Sequence, residues 1–300
     1  MLFNRERLSL GLVLPAQRRI RSDFEFETQL SLAARADRVG FGSLWVRDVP
    51  LNSEGYPDPI GHSDPWVLLG ALAATTSQIR LATGAIVLPL RHPLHIAKSA
   101  LSVQALSRGR FTLGLGSGDR PTEYEVFGQD IEQRKLVFRD HWQQLAVALG
   151  DGQAVAGVDG RIRSEFSIRP RVDTPVQMLA VGSSSQSLEW IARHSIGWMT
   201  YYRELDAQKD RIALWHAAVG KVTEDFRGFG QSMALELVEN AQSRPEPINL
   251  GIRTGRQGLI EALQAMRDVG VHHLALNINA ATRPPADVID EIASDVISAV

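Results

Sequence analysis

The stretch from Gln78 to Gly128 is the sequence feature that most constrains the fold of this chain. It opens with a nearly unbroken apolar run, Ile79–Val87, and closes with a second run, Phe111–Leu115, in which bulky residues precede glycines. Such runs are typical of strands that are covered on both faces. Between them, apolar residues recur at helical spacing after Pro93, and the pattern stops at Gly109. The stretch therefore predicts a β-α-β unit with a right-handed crossover.

The same alternation of strand and helix patterns continues along the whole chain. The predicted strands are Leu8–Leu14, Ser43–Val46, Ile79–Val87, Phe111–Leu115, Val176–Val181, Ile196–Tyr201, Met233–Val238 and His273–Ile278. Helical patterns separate them, and no shift in composition marks a linker. The sequence therefore predicts an α/β fold, a single (β/α)8 TIM barrel over residues 1–300. A doubly wound open sheet is the alternative.

The segment 150–174 interrupts this alternation of strand and helix patterns. It contains glycines and four arginines, which are Arg161, Arg163, Arg169 and Arg171. Long loops in compact domains are either functional or merely solvated. We therefore expect an inserted flap over the site, with a surface excursion as the alternative.

Two helix starts carry capping signals. Asp23 is the predicted N-cap of a helix that runs from about Phe24 to Val39 and ends at Gly40. Asp64 is the predicted N-cap of a helix that begins at Pro65, because proline fits the first helical turn.

The charge balance and the missing cysteines narrow the class of partner. A net charge of -2 argues against a nucleic-acid groove or an anionic membrane surface, since either needs a strong basic excess. The chain has no cysteine, which excludes disulfides, thiolate metal sites and cysteine nucleophiles. No apolar stretch approaches the roughly 18 residues that a membrane span needs. We expect a cytoplasmic protein with a small-molecule partner.

In a barrel of this kind, the catalytic and ligand-binding residues lie at the carboxyl ends of the strands. The polar residues that follow the predicted strands are Gln17, Arg47, Asp48, Ser117, Asp119, Arg120, Ser183 to Ser187, Tyr201 and Asn240. In the loop after the fourth strand, glycine lets the backbone approach a ligand, and an acid stands beside a base. The alternative is a tight turn with a solvated Asp-Arg pair.

The loop from Gly182 to Ser187 is short, rich in hydroxyls and opens a helix. Its backbone N–H groups, its serine hydroxyls and the helix dipole favour a phosphate. The same residues would also form an ordinary N-cap box. There is no Walker lysine motif, no complete GxGxxG pattern and no serine-hydrolase elbow, and the eight histidines are scattered, which makes a metal site an unfavourable interpretation. This combination favours a cofactor that carries the chemistry while the protein positions it.

Several motifs resemble the luciferase-like flavin-dependent monooxygenases. They are TGAIVLPLRHPLHIAKSALSVQALSRGRFTLGLGSGD, the following EYEVFG, and VGSSSQSLEWIA. The motifs WVRDVPL and SGDRPTE resemble a subgroup of luciferase-type oxidoreductases. The resemblance implies a TIM barrel that binds FMN, or in some branches the deazaflavin coenzyme F420. It places Ser183, Ser184, Ser185, Gln186 and Ser187 on the phosphate loop, Ser117 near the flavin phosphate, and a cis peptide bond between Gly84 and Ala85.

The chain also departs from the luciferase pattern. Where the luciferases carry a catalytic histidine, this sequence has Arg47-Asp48-Val49-Pro50, and Ser117 stands where they have a phosphate-binding arginine. We expect Arg47 or Arg120 to stabilise an anion, and Asp48 or Asp119 to act as acid or base. The alternative for these residues is a structural Asp-Arg pair that fixes the loops.

The sequence is compatible with three functions. The first is an FMN-dependent monooxygenase that uses reduced flavin and O2 on a small organic substrate, with NAD(P)H as reductant through this protein or through a separate flavin reductase. The second is an F420-dependent hydride-transfer enzyme, and the third is a flavin-binding protein without turnover. The resemblance also implies a homodimer, for which Trp66, Leu68 and Leu69 are candidate contacts.

Overall fold

The computed structural model describes residues 2–17, 23–52, 60–150, 154–157 and 159–300. Its strands are β1 (Ser9–Leu14), β2 (Ser43–Val46), β3 (Arg80–Thr83), β4 (Ile86–Val87), β5 (Phe111–Gly116), β6 (Gln177–Val181), β7 (Gly197–Tyr201), β8 (Gly228–Leu237), β9 (Glu246–Ile248), β10 (Gly251–Thr254) and β11 (His273–Asn277).

The helices alternate with these strands. They are α1 (Phe26–Val39), α2 (Pro65–Thr75), α3 (Pro93–Leu106), α4 (Pro121–Val126), α5 (Arg134–Leu149), α6 (Leu188–His194), α7 (Leu205–Val222), α8 (Arg256–Asp268) and α9 (Pro285–Glu291). Shorter 3-10 turns cover Leu88–Leu90, Ile131–Gln133, Ile278–Ala280 and Ile297–Ala299, and a π-helical turn covers Ile292–Val296. Within the described ranges, no helix is both long enough and apolar enough to cross a bilayer.

The parallel strands close into an eight-stranded barrel, which confirms the predicted TIM fold. β1 pairs with β2 on one side and with β11 on the other, and β11 pairs in turn with β8. From β2 the ladder continues through β3, β5, β6 and β7 to β8. An open doubly wound sheet would have two free edges instead, so that alternative is wrong.

Side chains on alternate strand positions separate into two cores. Leu12, Leu44 and Leu113 belong to the larger core between the strands and the surrounding helices. Val13 and Trp45 belong to a smaller core that also contains Phe3 and Met199. This alternation follows from the period of two along a strand, and Val13, Trp45 and Met199 of the smaller core line the cavity at one end of the barrel.

The predicted third strand is broken where the chain approaches the site. β3 ends at Thr83 and β4 begins at Ile86, and the register with β5 shows that Thr83 to Ala85 face only Leu113 and Gly114. This is a β-bulge, a device that is common beside active sites. Thr83 Oγ1 donates to the Gly114 carbonyl at 2.7 Å and accepts from its N–H at 2.8 Å. The side chain therefore supplies hydrogen bonds that the interrupted ladder lacks.

The seventh predicted strand is longer than its sequence pattern indicated. It was predicted at Met233–Val238, whereas β8 begins at Gly228. Its first half pairs with β11, and its second half pairs with β10, which forms an unpredicted antiparallel hairpin with β9. Glycines at the start of β8 weaken the strand signal in the sequence. The prolines of the β9 region likewise favour a loop prediction.

The helix-capping predictions are confirmed for Asp64 and Gly40 and wrong for Asp23. Asp64 caps α2 as predicted, because its Oδ1 accepts from the N–H groups of Trp66 and Val67. Gly40 ends α1 in the left-handed conformation with φ 94°. Asp23 is not the cap of α1, since that helix begins three residues later and Glu25 takes the N-cap position.

The described part of the segment predicted as a flap precedes β6, whose amino end lies opposite the cavity end of the barrel. It leads from the end of α5 to the start of β6, and Gln104 Nε2 on α3 donates to the Thr174 carbonyl at 2.8 Å. Within it, Ala156 and Ile162 form one antiparallel bridge. None of its described residues lines the cavity discussed below, so the hypothesis that this part of the segment covers the site was wrong.

Candidate active site

A cavity of about 1290 Å³ opens at the carboxyl ends of the barrel strands. Pockets for small ligands usually measure about 300–1,000 Å³, so this cavity has room for a large ligand with a second molecule beside it. The predicted site residues that line it are Arg47, Asp48, Gly84, Ala85, Ser117, Asp119, Arg120, Gly182, Ser183, Ser184 and Ser185.

Two other predicted mouth residues have local structural roles instead. Gln17 donates its backbone N–H to Asn279 Oδ1 at 2.8 Å, and it is Asn279 that lines the cavity. Asn240 accepts from the Gln242 N–H in a turn and lies outside the lining. Tyr201, at the end of β7, does line the cavity as predicted.

The floor of the cavity is formed by backbone and one indole ring. The Gly84–Ala85 peptide bond is cis, which confirms that expectation. A Cβ added to Gly84 would lie 2.9 Å from the Trp45 ring, and one added to Gly116 would lie 3.2 Å from Ala85 Cβ. Glycine at both positions therefore lets the Trp45 ring and the Ala85 side chain approach the backbone closely.

A buried histidine holds the indole of Trp45. Trp45 Nε1 donates to His273 Nε2 at 2.9 Å and lies 2.8 Å from Ser43 Oγ. The other ring nitrogen of His273 lies 2.6 Å from Ser9 Oγ. Burial lowers the pKa of His273 to about 3, so the ring is neutral and its Nδ1 carries the proton toward Ser9.

The serine loop keeps an unusual backbone conformation. Ser184 and Ser185 have φ values of 48° and 55°, and Gly182 has φ 70°. Ser184 Oγ donates to the Val181 carbonyl at 3.1 Å, which fixes the loop to the end of β6. Non-glycine residues in the left-handed region often occur at ligand sites.

Gln186 and Ser187 support this loop from outside the cavity lining. Gln186 Nε2 donates to the Lys135 carbonyl at 3.0 Å, and its Oε1 accepts from Arg139. Ser187 Oγ accepts from the Trp190 N–H and caps α6. Both side chains therefore join the loop to neighbouring helices, and direct contact with a cofactor stays a prediction for them.

Arg134 is a cavity residue that the sequence reasoning missed. It begins α5, the helix whose Lys135 and Arg139 hold Gln186, and it lines the same cavity as the serine loop. Its Nη1 donates to the Ile131 carbonyl at 3.0 Å. The signal that could have found it is its place in the first turn of α5, the long helix between the fourth and fifth barrel strands.

Asp48 is held by a second residue that was missed. Arg91 Nε and Nη2 donate to the two Asp48 carboxylate oxygens at 2.9 and 2.7 Å, and the Val87 N–H donates to Oδ2 at 3.1 Å. Burial opposes the charge of Arg91, but its bond to Asp48 raises the Arg91 pKa overall. This bidentate pairing favours a positioning role for Asp48 over the predicted acid or base role.

The loop after β5 is fixed by buried partners. Arg120 Nη1 donates to Glu123 Oε1 and to the Leu51 carbonyl, each at 3.3 Å. Tyr124 Oη donates to the Ser117 carbonyl, and burial raises the pKa of Tyr124 to about 12. Asp119 lies exposed at the rim. In the part of the chain that the structure describes, no three His, Asp or Glu side chains gather in a metal-binding arrangement.

Comparisons with known proteins agree with this geometry. Residues 8–234 match the family model described as luciferase-like monooxygenase. An uncharacterised protein of Mycobacterium tuberculosis is 32% identical over 264 residues, which cover 80% of this chain and 88% of the relative.

Two solved structures share the fold. An F420-dependent secondary alcohol dehydrogenase superposes with a TM-score of 0.80 at 15% identity, covering 98% of this chain and 99% of its own. The oxygenating constituent of 3,6-diketocamphane monooxygenase of Pseudomonas putida, solved with FMN, superposes with a TM-score of 0.72 at 15% identity, covering 97% and 98%. The family match extends over most of the barrel, including the cis peptide and the serine loop. The chain belongs to the luciferase-like monooxygenase family.

Proposed function

We propose that this protein is an FMN-dependent monooxygenase that acts on a small organic substrate. The observation that carries the proposal is a cavity floor with few side-chain atoms, formed at Gly84, Ala85 and Gly116, in the same cavity as the serine loop. A planar ring system fits such a floor, and a phosphate fits the loop. The family match and the FMN-bound structural neighbour support the cofactor class.

The residues present fit a flavin phosphate. A Cβ on Gly182 would meet no atom within 4 Å, so the cavity stays open in front of the loop. Ser183 and Ser185 offer hydroxyl groups there, and Arg134 adds a positive charge from the start of α5. Arg134 would take the place of the arginine that the luciferases carry where this chain has Ser117.

When bound, reduced flavin would supply electrons for the activation of O2. The chain itself would exclude water with the apolar side chains of Val13, Met199 and Ala275. Arg47 would orient an anionic group, Arg120 would hold the loop after β5 through Glu123, and Asp119 would donate or accept a proton at the rim. Asp48 would hold Arg91 and the backbone at Val87 in place, close to the floor.

Anaerobic titration with FMN and with F420, each oxidised and reduced, tests the proposal. We expect FMN to bind, and we expect Arg134→Gln to weaken FMN binding much more than riboflavin binding, since only FMN carries a phosphate. Arg161→Gln is the matched control, because that side chain is 82% exposed and lies outside the cavity lining. Equal effects of Arg134→Gln on FMN and riboflavin would contradict a phosphate role.

A second candidate is an F420-dependent hydride-transfer enzyme. It is favoured by Arg203 and Arg211, which line the cavity, and by the F420-dependent enzyme among the structural neighbours. Binding of F420 without FMN would select this candidate. Binding of FMN without substrate-stimulated oxidation would select the flavin-binding protein without turnover.

Two further parts of the proposal concern partners. Reduced flavin would be produced in place with NAD(P)H or delivered by a separate flavin reductase, and NAD(P)H oxidation by the purified protein distinguishes the two. For the proposed homodimer, Leu68 and Leu69 are buried in the core, so they are unsuitable as contacts. Val67, which is 60% exposed on the same helix, is the better candidate, and light scattering tests the dimer.

A further inference from the structure

We propose that Arg203 and Arg211 form a second anion-binding subsite in the cavity, which takes a carboxylate or phosphate on the ligand other than the flavin phosphate. The proposal rests on the proposed function, because it assumes a flavin or deazaflavin in the same cavity. The anion would come from one of two sources. It is either the acidic tail of a deazaflavin cofactor or an acidic group on the substrate.

Both arginines follow β7 and face the cavity. Arg203 stands two residues after the end of the strand and is exposed at the rim, while Arg211 projects from the second turn of α7. The guanidinium of Arg211 lies over the Trp198 ring, 5.6 Å from its centroid. Trp198 Nε1 donates to the Gly182 carbonyl at 2.7 Å. One aromatic side chain therefore joins Arg211 to the base of the serine loop.

Within the part of the chain that the structure describes, no carboxylate balances the two positive charges. Neither guanidinium forms an ion pair with a carboxylate of the described residues, and Asp206 on the same helix pairs with Lys209 instead. Burial lowers the pKa of Arg211, and the nearby charge of Arg203 lowers it further. A bound anion would relieve both effects, since it favours the charged form of each side chain.

Two other arginines near the opening of the cavity, in contrast to Arg203 and Arg211, are paired with carboxylates of the protein. Arg91 is paired with Asp48 at 2.7 Å, and Arg120 is paired with Glu123 at 3.3 Å. Their donors are engaged within the protein, as expected for arginines that fix loops. Among the described residues, neither Arg203 nor Arg211 has a carboxylate partner, and both line the cavity. A guanidinium matches a carboxylate or phosphate in shape and hydrogen-bond geometry.

The position of the pair distinguishes it from the proposed phosphate site. The serine loop follows β6 and Arg134 begins α5, whereas Arg203 and Arg211 follow β7 and line the cavity from that part of the barrel. Arg203 also lies at the rim, where a ligand would extend out of the barrel. The ligand we infer is therefore an elongated or two-part molecule with an acidic group near the mouth.

The test compares the wild type with the double variant Arg203→Gln/Arg211→Gln. Binding of FMN, riboflavin, F420 and the deazaflavin riboside core without phosphate or tail is measured by anaerobic titration. Binding of hexanoate and of hexanamide to the FMN-loaded protein is measured by calorimetry. Lys209→Gln is the matched control, since it removes a positive charge from α7 outside the cavity lining. Arg211→Lys should restore part of any lost affinity, and thermal unfolding checks that each variant is folded.

Two results would support the subsite, and each identifies which ligand carries the anion. If the anion is the cofactor tail, the double variant loses at least about tenfold in F420 affinity, because charged hydrogen bonds contribute that much. FMN and the deazaflavin core then keep their wild-type affinities. If the anion belongs to the substrate, the FMN-loaded wild type prefers hexanoate to hexanamide, and the double variant loses the preference.

Two results would overturn it. In the first, FMN affinity falls in parallel with F420 affinity while riboflavin is unaffected, which would assign both arginines to the flavin phosphate. In the second, the double variant changes no affinity and the wild type shows no preference for the acid. If the wild type binds neither FMN nor F420, the flavin proposal fails by itself. In that case, a preference of the cofactor-free protein for hexanoate over hexanamide would still support the subsite. The absence of that preference would overturn it.

Discussion

At the scale of single residues, His273 determines how the cavity floor is held. It is fully buried inside the barrel, and its two ring nitrogens engage Ser9 on one side and Trp45 on the other. The Trp45 and His273 rings also lie 5.5 Å apart between centroids. Only the neutral ring can accept from Trp45, so the floor depends on the protonation state of this one histidine.

We expect acid to destabilise the wild type more steeply than His273→Gln. Burial lowers the pKa of His273 from 6.5 to about 3, so as the pH falls through that window the unfolded chain binds a proton that the folded chain does not. The free energy of unfolding then falls by up to about 1.4 kcal/mol per pH unit, while glutamine makes no such contribution.

Urea unfolding at several pH values between about 4 and 7 measures the two slopes. His141, His194 and His272 also have lowered pKa values, but they are present in both proteins and cancel in the comparison. Parallel slopes for the two proteins would contradict the assignment of a neutral, buried His273.

Gly114 is the second residue on which the floor depends. A Cβ there would lie 1.8 Å from the Thr83 carbonyl oxygen, which is backbone and cannot rotate away. We expect Gly114→Ala to destabilise the protein by about 3 kcal/mol or more, the upper range for overpacking. Gly70→Ala is the control, since its Cβ would meet no atom within 4 Å and alanine favours the helix by about 1 kcal/mol. Denaturant midpoints of the two variants measure the difference.

At the scale of secondary-structure elements, the Asp48 and Arg91 pair joins the loop after β2 to the turn that leads from β4 into α3. The Asp48 side chain is fully buried, and that of Arg91 is 27% exposed. Because Asp48 also accepts from the Val87 N–H, one carboxylate connects three segments around the floor. The pair therefore fixes the loop after β2 against β4 without having to react.

We expect Asp48→Asn to destabilise the fold by about 3 kcal/mol, the lower end for a broken buried pair, because Arg91 retains some contact with water. The double variant Asp48→Asn/Arg91→Gln should lose less than the sum of the single variants. Arg35→Gln, which breaks an exposed pair with Asp290, should lose at most about 1 kcal/mol. Additive effects in chemical denaturation would count against a coupled pair.

At the scale of the whole molecule, Phe3 closes the barrel at the amino ends of its strands. Phe3 is buried against the glycines that begin β7 and β8, and a Cβ on Gly228 would lie 2.1 Å from its ring. The ring also meets His273 edge-on, with centroids 6.3 Å apart. Packing at this end thus stabilises His273, which in turn holds the Trp45 ring at the cavity floor.

We expect Phe3→Ala to destabilise the protein by about 3–5 kcal/mol, because it leaves a cavity that the surrounding strands cannot fill. Phe166→Ala, at a side chain that is 62% exposed, should change stability by no more than about 0.5 kcal/mol. Thermal unfolding of the two variants gives the comparison. Similar losses in both would show that Phe3 does not close the barrel.

The sequence by itself determined the repeating architecture. Period-two and period-3.6 patterns follow from backbone geometry, so β1, β2 and β11 were predicted within one residue of each end. It also located the serine loop and, through the family resemblance, the cis bond at Gly84. These features depend on residues close together in the chain, where composition and spacing carry the information.

Only the tertiary structure decided which charges balance one another at the mouth. Arg91 and Arg134 lie on helices or turns between predicted strands, and nothing local indicates that one holds Asp48 while the other faces the cavity. For the same reason, the segment 150–174 was predicted to cover the site, although none of its described residues lines the cavity. Contacts between residues distant in sequence depend on how the barrel closes, and closure is a property of all eight strands together.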